Sequence, residues 1–322
     1  MRPLRFTPQL KSLIWGGEKI APYKGIRTGQ RNIGESWELS GVAGNESVVA
    51  EGEYAGRTLP ELIARFRGEL VGEAVYERHG TEFPLLVKFI DACQNLSIQV
   101  HPDDRLAWTR HKSNGKTEMW YVVAADKGAH LKSGFSQQLT PAEYERMVAE
   151  HTLTDALCDY SVTAGDLFFL PAGRVHAICA GTFVAEIQQT SDITYRIYDY
   201  GRTGADGKPR ELHTELAKDA IDYTVLPDYR SHYAAAKNRE VPLVSCPYFE
   251  TSLYELDAPL SRDLAALDSF LIVMCLEGNG VLCDDEGDEV PLRRGETLLV
   301  PASTRSVQFV PDPRLKLLTS HL

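Results

Sequence analysis

Alternating apolar and polar positions recur along most of the chain and predict short β-strands. In residues 96–101 (LSIQVH), three aliphatic side chains alternate with Ser97, Gln99 and His101, so the two sets project to opposite faces of a strand. Gly, Pro, Asn and Asp clusters separate such segments, as in an antiparallel barrel or sandwich. Strands are also predicted at residues 46–50, 85–92, 118–124, 166–170, 175–179, 183–188, 193–198, 247–256, 269–276, 280–283, 296–300 and 305–310.

Helical patterns are fewer. Residues 59–75 carry apolar side chains at helical spacing, and residues 211–222 form another helical segment. Thr140 precedes Pro141 and, three positions on, Glu143, an arrangement that caps the start of a helix. Residues 201–210 (GRTGADGKPR) are predicted to form a turn-rich loop.

One pattern occurs twice. Residues 165–178 (GDLFFLPAGRVHAI) and 295–309 (GETLLVPASTRSVQF) share Gly, an acid, three apolar residues, Pro and Ala in one register. An apolar strand running into a Gly-containing turn precedes each copy, which indicates one small β-barrel unit used twice. We therefore predict a mainly β protein with two barrels and a few helices, divided into a catalytic domain at 1–239 and a degenerate domain at 240–322. Ser306 stands in the second copy where the first has His176, so the second barrel is expected to be structural and metal-free.

Composition narrows the functional classes. The 322 residues are 43% hydrophobic and 25% charged, which is ordinary for a globular protein. The net charge of −11 argues against a nucleic-acid partner. The sequence contains no run of 18 apolar residues, so no membrane span is predicted. The N-terminus lacks the apolar core of a signal peptide. Six cysteines without a CxxC pair favour reduced thiols and a cytoplasmic location.

Four polar residues of the first barrel can converge. Gln99 and His101 project to the same face of one strand, Glu118 opens the next, and His176 follows the PAGR turn. Two imidazoles and a carboxylate commonly bind zinc or another divalent transition metal, and an amide oxygen or water can complete the shell. The alternative is that these histidines are ordinary hydrogen-bonded core residues.

A second polar group is basic. Lys88 lies inside LLVKFI, Lys116 precedes Glu118 by two positions, and Arg196 lies in SDITYR, while Lys208 and Arg210 belong to the turn-rich loop. A solvated surface explains most such residues. Lys88 is the exception, because a charge in an apolar strand is costly unless it faces a polar cavity or a partner.

Several motifs in register resemble the type I mannose-6-phosphate isomerase family, in its short bacterial form. The resemblance covers most of residues 10–225 and rests on WGG (15–17), GESWELS (34–40), LSIQVHPDD (96–104), GKTEMWYV (115–122), PAGRVHAI (171–178), QQTSDITYRIYDYGR (188–202) and DGKPRELH (206–213). It implies cupin-type barrels and one zinc ion per chain. By position, the ligands would be His101, Glu118 and His176, with Gln99 as a further ligand, and Arg196 would be the catalytic arginine.

The resemblance further implies interconversion of mannose 6-phosphate and fructose 6-phosphate through a cis-enediol. Because arginine stays protonated, Arg196 is expected to act electrostatically, unless it forms a structural ion pair with Asp192. The base is left open between a metal-bound water or hydroxide, His101 after it leaves the metal, and Asp192. We expect the sugar phosphate to meet Lys88, Lys116, Lys208 and Arg210, with Ser97 as a further donor. Trp15 either shapes the sugar pocket or belongs to the core.

Three other functions are compatible with the sequence. A different metal-dependent sugar-phosphate isomerase would use the same ligands, an iron-dependent cupin oxygenase would consume oxygen during turnover, and a non-catalytic cupin would bind or sense a sugar. We expect a small sugar phosphate as the partner, no nucleic acid or membrane, and a monomer or weak homodimer.

Overall fold

The structure is a computed structural model that describes residues 1–204 and 207–322, and it is mainly β. The strands are β1 (Leu4–Arg5), β2 (Gln9–Gly17), β3 (Ile33–Ser40), β4 (Leu85–Asp91), β5 (Ile98–Val100), β6 (Glu118–Ala125), β7 (His130–Phe135), β8 (Leu157–Ser161), β9 (Leu167–Leu170), β10 (His176–Ile178), β11 (Thr182–Gln189), β12 (Tyr195–Tyr198), β13 (Arg230–Ser231), β14 (Val241–Ser245), β15 (Glu250–Leu256), β16 (Leu260–Asp263), β17 (Leu271–Asp284), β18 (Glu289–Arg293), β19 (Thr297–Val300) and β20 (Ser306–His321). The helices are α1 (Ile20–Lys24), α2 (Leu59–Phe66), α3 (Gly68–Val71), α4 (Glu73–His79), α5 (Asp104–His111), α6 (Pro141–Ala149) and α7 (Thr214–Ala220), with a short 3-10 helix at Leu153–Ala156. Ala205 and Asp206 of the predicted loop 201–210 lie outside the described residues.

Two antiparallel sheets form the first unit, a jelly-roll sandwich. One has the order β13-β9-β6-β11-β4-β3-β2 and the other the order β12-β5-β10-β7-β8. A single hydrophobic cluster joins them, with Trp120 and Val184 from the larger sheet and Leu131 and Ile178 from the smaller. The polar site described below lies in the same interior, because its residues alternate with these apolar ones along the strands.

The larger sheet is covered on both faces. Along β4, Lys88 and Ile90 face the smaller sheet, whereas Val87 and Phe89 join the cluster shared with the C-terminal unit. Every residue of β4 is therefore buried, which explains why LLVKFID reads as a continuous apolar run rather than a clean alternation.

The C-terminal unit is a second β structure in which β17 and β20 are the central strands. Its sheet has the order β1-β19-β17-β20-β15-β14, with β16 paired to β20 and β18 to β17. The sheet encloses a core of its own that includes Leu282, Leu292 and Phe309. Strand β1 pairs with β19, placing Leu4 opposite Leu299, so the first residues of the chain complete the second unit.

Most predicted elements are present, and the differences have local causes. The predicted helix 59–75 is three short helices, because the backbone turns to positive φ at Arg67 and Gly72. A Cβ at Gly72 would lie 2.3 Å from the carbonyl oxygen of Asp268, so the C-terminal unit approaches the chain at this break. The predicted strand 46–50 forms isolated bridges instead. The predicted helix start at Thr140 is confirmed, with the complete capping box to Glu143.

A mainly β fold with cupin-type units is confirmed. Across the ranges 1–204 and 207–322, the structure contains no helix of sufficient length and apolar character to span a bilayer.

Candidate active site

Three strand ends bring the predicted metal ligands together. His101 directly follows β5, Glu118 opens β6 and His176 opens β10. Cross-strand pairing sets His176 opposite Gln99 and Glu118 opposite Gln188. One ligand atom from each of His101, Glu118 and His176 lies within 4.8 Å of the others, and all three residues are buried.

Backbone carbonyls orient both imidazoles. His101 Nδ1 donates to the carbonyl oxygen of Ile193 at 2.8 Å, and His176 Nδ1 donates to that of Arg174 at 2.8 Å. Because a carbonyl can only accept, the proton resides on Nδ1 and the Nε2 lone pair of each ring points inward. This is the usual arrangement of metal-ligating histidines.

The charge states also suit a cation. Burial, reinforced by the charge of Lys116, lowers the pKa of His176 to about 3, and the same two causes lower that of His101 well below its ordinary value. Both rings are therefore neutral at physiological pH. Burial, reinforced by the charge of Glu186, raises the pKa of Glu118 to about 7. Glu118 Oε1 has no hydrogen-bond donor in the described structure and lies 3.3 Å from the Nε2 lone pair of His176. Two electron-rich atoms at that distance repel unless a proton or a metal cation lies between them, and two neutral imidazoles with a carboxylate are a donor set that suits a divalent metal.

Gln99 lies beside this group. Its amide end is 3.3 Å from His176 Nε2, and its Oε1 accepts a hydrogen bond from Ser97 at 3.3 Å. Rotating the amide by half a turn would present its oxygen to the same point. Gln99 is therefore in position to add a ligand, as the family resemblance implies.

A cavity of about 170 Å³ lies between the two sheets, and its lining includes Gln99 and Lys116, which contact the ligand group. Besides the predicted ligand Gln99, six of the predicted substrate and catalytic residues line it: Trp15, Lys88, Ser97, Lys116, Arg196 and Arg210. Asp192 is exposed and, like Lys208, is not among the described residues that line the cavity. The structure thus groups four cations from four separate parts of the sequence.

Two buried lysines line this cavity and pair with different groups. Lys116 Nζ lies 2.6 Å from Glu118 Oε2 and 3.1 Å from His101 Nε2. Its ammonium therefore contacts two members of the ligand group. Lys88 Nζ lies 2.9 Å from Glu186 Oε1 and 3.6 Å from Glu35 Oε2. Burial alone would lower the pKa of Lys88, but the two carboxylates raise it above its ordinary value. Lys88 is therefore charged and paired, which explains how it is tolerated in an apolar strand.

The guanidinium of Arg196 is only partly hydrogen-bonded within the described ranges. Its Nη1 donates to the carbonyl oxygen of Glu211 at 3.0 Å, while its buried Nε has no hydrogen-bond partner within the described ranges. Burial and then the charge of Arg210 lower the pKa of Arg196. The alternative of an ion pair with Asp192 is not observed among residues 1–204 and 207–322.

Arg210 and Arg202 both bind the carboxylate of Asp199, and the sequence did not indicate Arg202 as a site residue. Arg210 Nε donates to Asp199 Oδ2 at 2.7 Å, and Arg202 also bonds to Asp199. Two guanidinium groups against one carboxylate leave a net positive charge around Asp199, where Arg210 also lines the cavity. Glu35, Trp120 and Glu186 are further lining residues that were missed. Glu186 could have been found, because it is a carboxylate in the apolar strand FVAEIQ and pairs in register with Lys88.

A two-sheet β sandwich with two histidines and a glutamate buried together beside a basic cavity has the donor set of a cupin-type metal site. Two family models match the chain. Residues 4–129 match the model described as phosphomannose isomerase type I, catalytic domain. Residues 239–322 match the model described as mannose-6-phosphate isomerase, cupin domain.

Relatives named as mannose-6-phosphate isomerases match nearly the whole length of the chain. The mannose-6-phosphate isomerase ManA of Bacillus subtilis (strain 168) is 35% identical over 302 residues, covering 93% of each chain. The mannose-6-phosphate isomerase of Streptococcus mutans is 34% identical over 320 residues, covering 99% of this chain and 98% of that one. The crystal structure of the mannose 6-phosphate isomerase from Bacillus subtilis superimposes with a TM-score of 0.89 at 31% identity, covering both chains completely. The chain belongs to the type I phosphomannose isomerase family and is an aldose–ketose isomerase.

Proposed function

We propose that this protein interconverts mannose 6-phosphate and fructose 6-phosphate with one divalent metal ion per chain, and that the ion is zinc. The observation that carries the proposal is the buried His101–Glu118–His176 group, which is in contact with Gln99 and Lys116 in the lining of a cavity that holds four cations. The names of the relatives support the substrate. Concentrating positive charge here, in a chain of net charge −11, suits an anionic sugar.

His101, Glu118 and His176 would hold the metal, and Gln99 would add a ligand. The nitrogen and carboxylate donors suit zinc, a borderline-soft ion that commonly takes such mixed sets. When bound, the ion would polarise the substrate carbonyl and hold the neighbouring hydroxyl without a change of oxidation state.

The remaining cavity residues move protons and stabilise charge. Isomerisation transfers a proton between C1 and C2 through a cis-enediol, while a second proton moves between O1 and O2. The Lys116 ammonium, 2.6 Å from Glu118 and 3.1 Å from His101, is placed to donate to a substrate oxygen. Arg196 supplies permanent positive charge for the enediolate oxygen, because a guanidinium does not deprotonate.

The base must reach the carbon that loses its proton. Asp192 is exposed and outside the cavity lining, so the structure gives it no support in this role. A carboxylate base would instead be Glu35 or Glu186, both of which line the cavity. A metal-bound hydroxide and His101 stay as alternatives.

We further propose that the phosphate binds at the arginine end. Arg210 and Arg202 flank Asp199 there, and planar guanidinium groups match phosphate geometry. Lys208, two residues before Arg210, is a further candidate, and Lys88, Ser97 and Trp15 would contact the sugar. Residues 1–239 would form the catalytic domain and residues 240–322 a structural, metal-free domain. A cytoplasmic monomer or weak homodimer remains our expectation.

A coupled isomerase assay on mannose 6-phosphate, with and without chelator, tests the proposal. We expect turnover that chelator abolishes and zinc restores. Oxygen consumption during turnover would instead indicate a cupin oxygenase, and zinc-loaded protein that fails to turn over mannose 6-phosphate would refute the assignment.

A further inference from the structure

A carboxylate outside the cavity lining connects three segments of the site. Asp104 is the second acid of the HPDD run, three residues after His101. Its Oδ1 accepts hydrogen bonds from the backbone N–H of Gly115 at 2.8 Å and from Gln189 Nε2 at 2.9 Å. The Gln189 side chain continues the connection, because its Oε1 accepts from the backbone N–H of Thr117 at 2.9 Å.

These bonds fix the backbone on both sides of Lys116. The N–H groups of Gly115 and Thr117 are both bound, directly or through Gln189, to the Asp104 carboxylate. The approach is close: a Cβ on Gly115 would lie 2.6 Å from the backbone nitrogen of Asp104, so glycine is required there. Glu118, the next residue after Thr117, belongs to the metal-ligand group.

The other oxygen of Asp104 reaches the C-terminal unit. Tyr248, in the connection between β14 and β15, donates its hydroxyl proton to Asp104 Oδ2 at 2.9 Å. A carboxylate that accepts from several donors is a strong hydrogen-bonding centre. The second β unit therefore has a direct polar contact to Asp104, at the start of α5, and through Asp104 it is connected to the loop that carries Lys116.

We infer that Asp104 is a positioning residue that holds Lys116 beside Glu118 and His101, and that Tyr248 supports it from the C-terminal unit. The inference rests on the role proposed above for Lys116. A lysine has a long flexible stem, and its ammonium here must stay near two atoms at once, Glu118 Oε2 and His101 Nε2. Fixing the two peptide groups beside Lys116 restricts where that stem begins, and misplacement of a reacting group by about 1 Å can cost roughly 100-fold in rate.

A double-mutant cycle with Asp104→Ala and Lys116→Ala tests the inference on metal-loaded protein. We expect Asp104→Ala to lower kcat by roughly 10-fold, to leave KM within about two-fold, and to add no further loss when Lys116 is already alanine. A full additional loss in the double variant would show that Asp104 acts independently of Lys116 and would overturn the inference. If Lys116→Ala alone retains wild-type kcat, the proposed role of Lys116 fails instead, whatever the effect of Asp104→Ala.

Conservative variants separate positioning from stability. Asp104→Asn keeps an oxygen that can accept from Gly115 and Gln189, so we expect kcat to recover to near the wild-type value. Tyr248→Phe should lower kcat by about two- to five-fold, the effect of a small displacement. Tyr233→Phe is the matched control, because its hydroxyl donates at 2.8 Å to the carbonyl oxygen of Gly165, away from the Asp104 bonds. Equal effects of Tyr248→Phe and Tyr233→Phe on kcat, or an Asp104→Asn enzyme as slow as Asp104→Ala, would contradict the inference.

Discussion

Replacing Arg196 by alanine should separate catalysis from stability. If the guanidinium stabilises charge that develops on the substrate oxygen, kcat should fall by roughly 100-fold, or about 2.7 kcal/mol, the effect of losing one preorganised stabilising group. Among the described residues, no hydrogen bond or ion pair joins Arg196 to the proposed ligands His101, Glu118 and His176, so metal content should stay at the wild-type value.

The structure gives a small stability cost for the same change. Within the described residues, Arg196 makes one side-chain hydrogen bond, from Nη1 to the Glu211 carbonyl oxygen at 3.0 Å, and a typical bond of this kind contributes about 1 kcal/mol. Burial first, and then the charge of Arg210, lower the pKa of Arg196, so removing a partly desolvated guanidinium offsets part of the loss. We expect a shift in Tm of at most about 2–4 °C.

The assay is steady-state kinetics with mannose 6-phosphate, paired with thermal unfolding and metal analysis. Arg230→Ala is the matched control: it also donates to a backbone carbonyl oxygen, that of Ser161 at 2.7 Å, but lies outside the cavity lining. Arg196→Lys should recover part of kcat, because it restores the charge without the planar fork. An Arg196→Ala enzyme with wild-type kcat, or one that loses activity only in proportion to its unfolded fraction, would refute the reasoning.

Three further predictions concern the metal, the phosphate and the pH dependence. His101→Ala and His176→Ala should each lose most of the bound metal in elemental analysis, whereas wild-type protein should hold one ion per chain; undiminished metal in both variants, or a second ion in residues 240–322, would contradict the assignment. Free mannose should be turned over at least about 100-fold less efficiently than its 6-phosphate, because charge-assisted bonds to phosphate would be absent; comparable kcat/KM values would exclude a phosphate site. Burial alone would raise the pKa of Asp199, but hydrogen bonds from Arg210 and Arg202 lower it. A carboxyl with a lowered folded-state pKa stabilises the protein above its unfolded pKa, near about 3.9. The stability difference between wild type and Asp199→Asn, measured by denaturant unfolding, should therefore be constant near neutral pH and shrink as the pH falls through the lowered pKa; a difference that grows on acidification would show the opposite sign.

Much of the fold could be predicted because strand periodicity is a local property. Residues 85–92, 118–124 and 183–188 were identified as strands and became β4, β6 and β11. The break in helix 59–75 could not be predicted, because the close approach of Asp268 to Gly72 is a contact between distant parts of the chain. Nor could pairing of β1 with β19, since two residues carry no periodic pattern.

The site shows the same division. Gln99 and His101 share a strand face, which the alternation of LSIQVH predicts, and the strand start at Glu118 and the PAGR turn before His176 indicate the other two ligands. Glu186 and Arg202 were missed, because their importance lies in their partners, Lys88 and Asp199. Asp192 is a candidate base by sequence, whereas the structure leaves it exposed in the irregular segment before β12. Where that strand begins depends on its pairing with β5, which the local pattern does not show.

Stepwise addition of zinc to metal-free protein tests the central claim most directly. The account predicts that the rate of mannose 6-phosphate isomerisation rises in proportion to bound zinc and reaches its maximum at one ion per chain. Full activity in the metal-free protein, or a rate that stays at background after one ion per chain has bound, would contradict it.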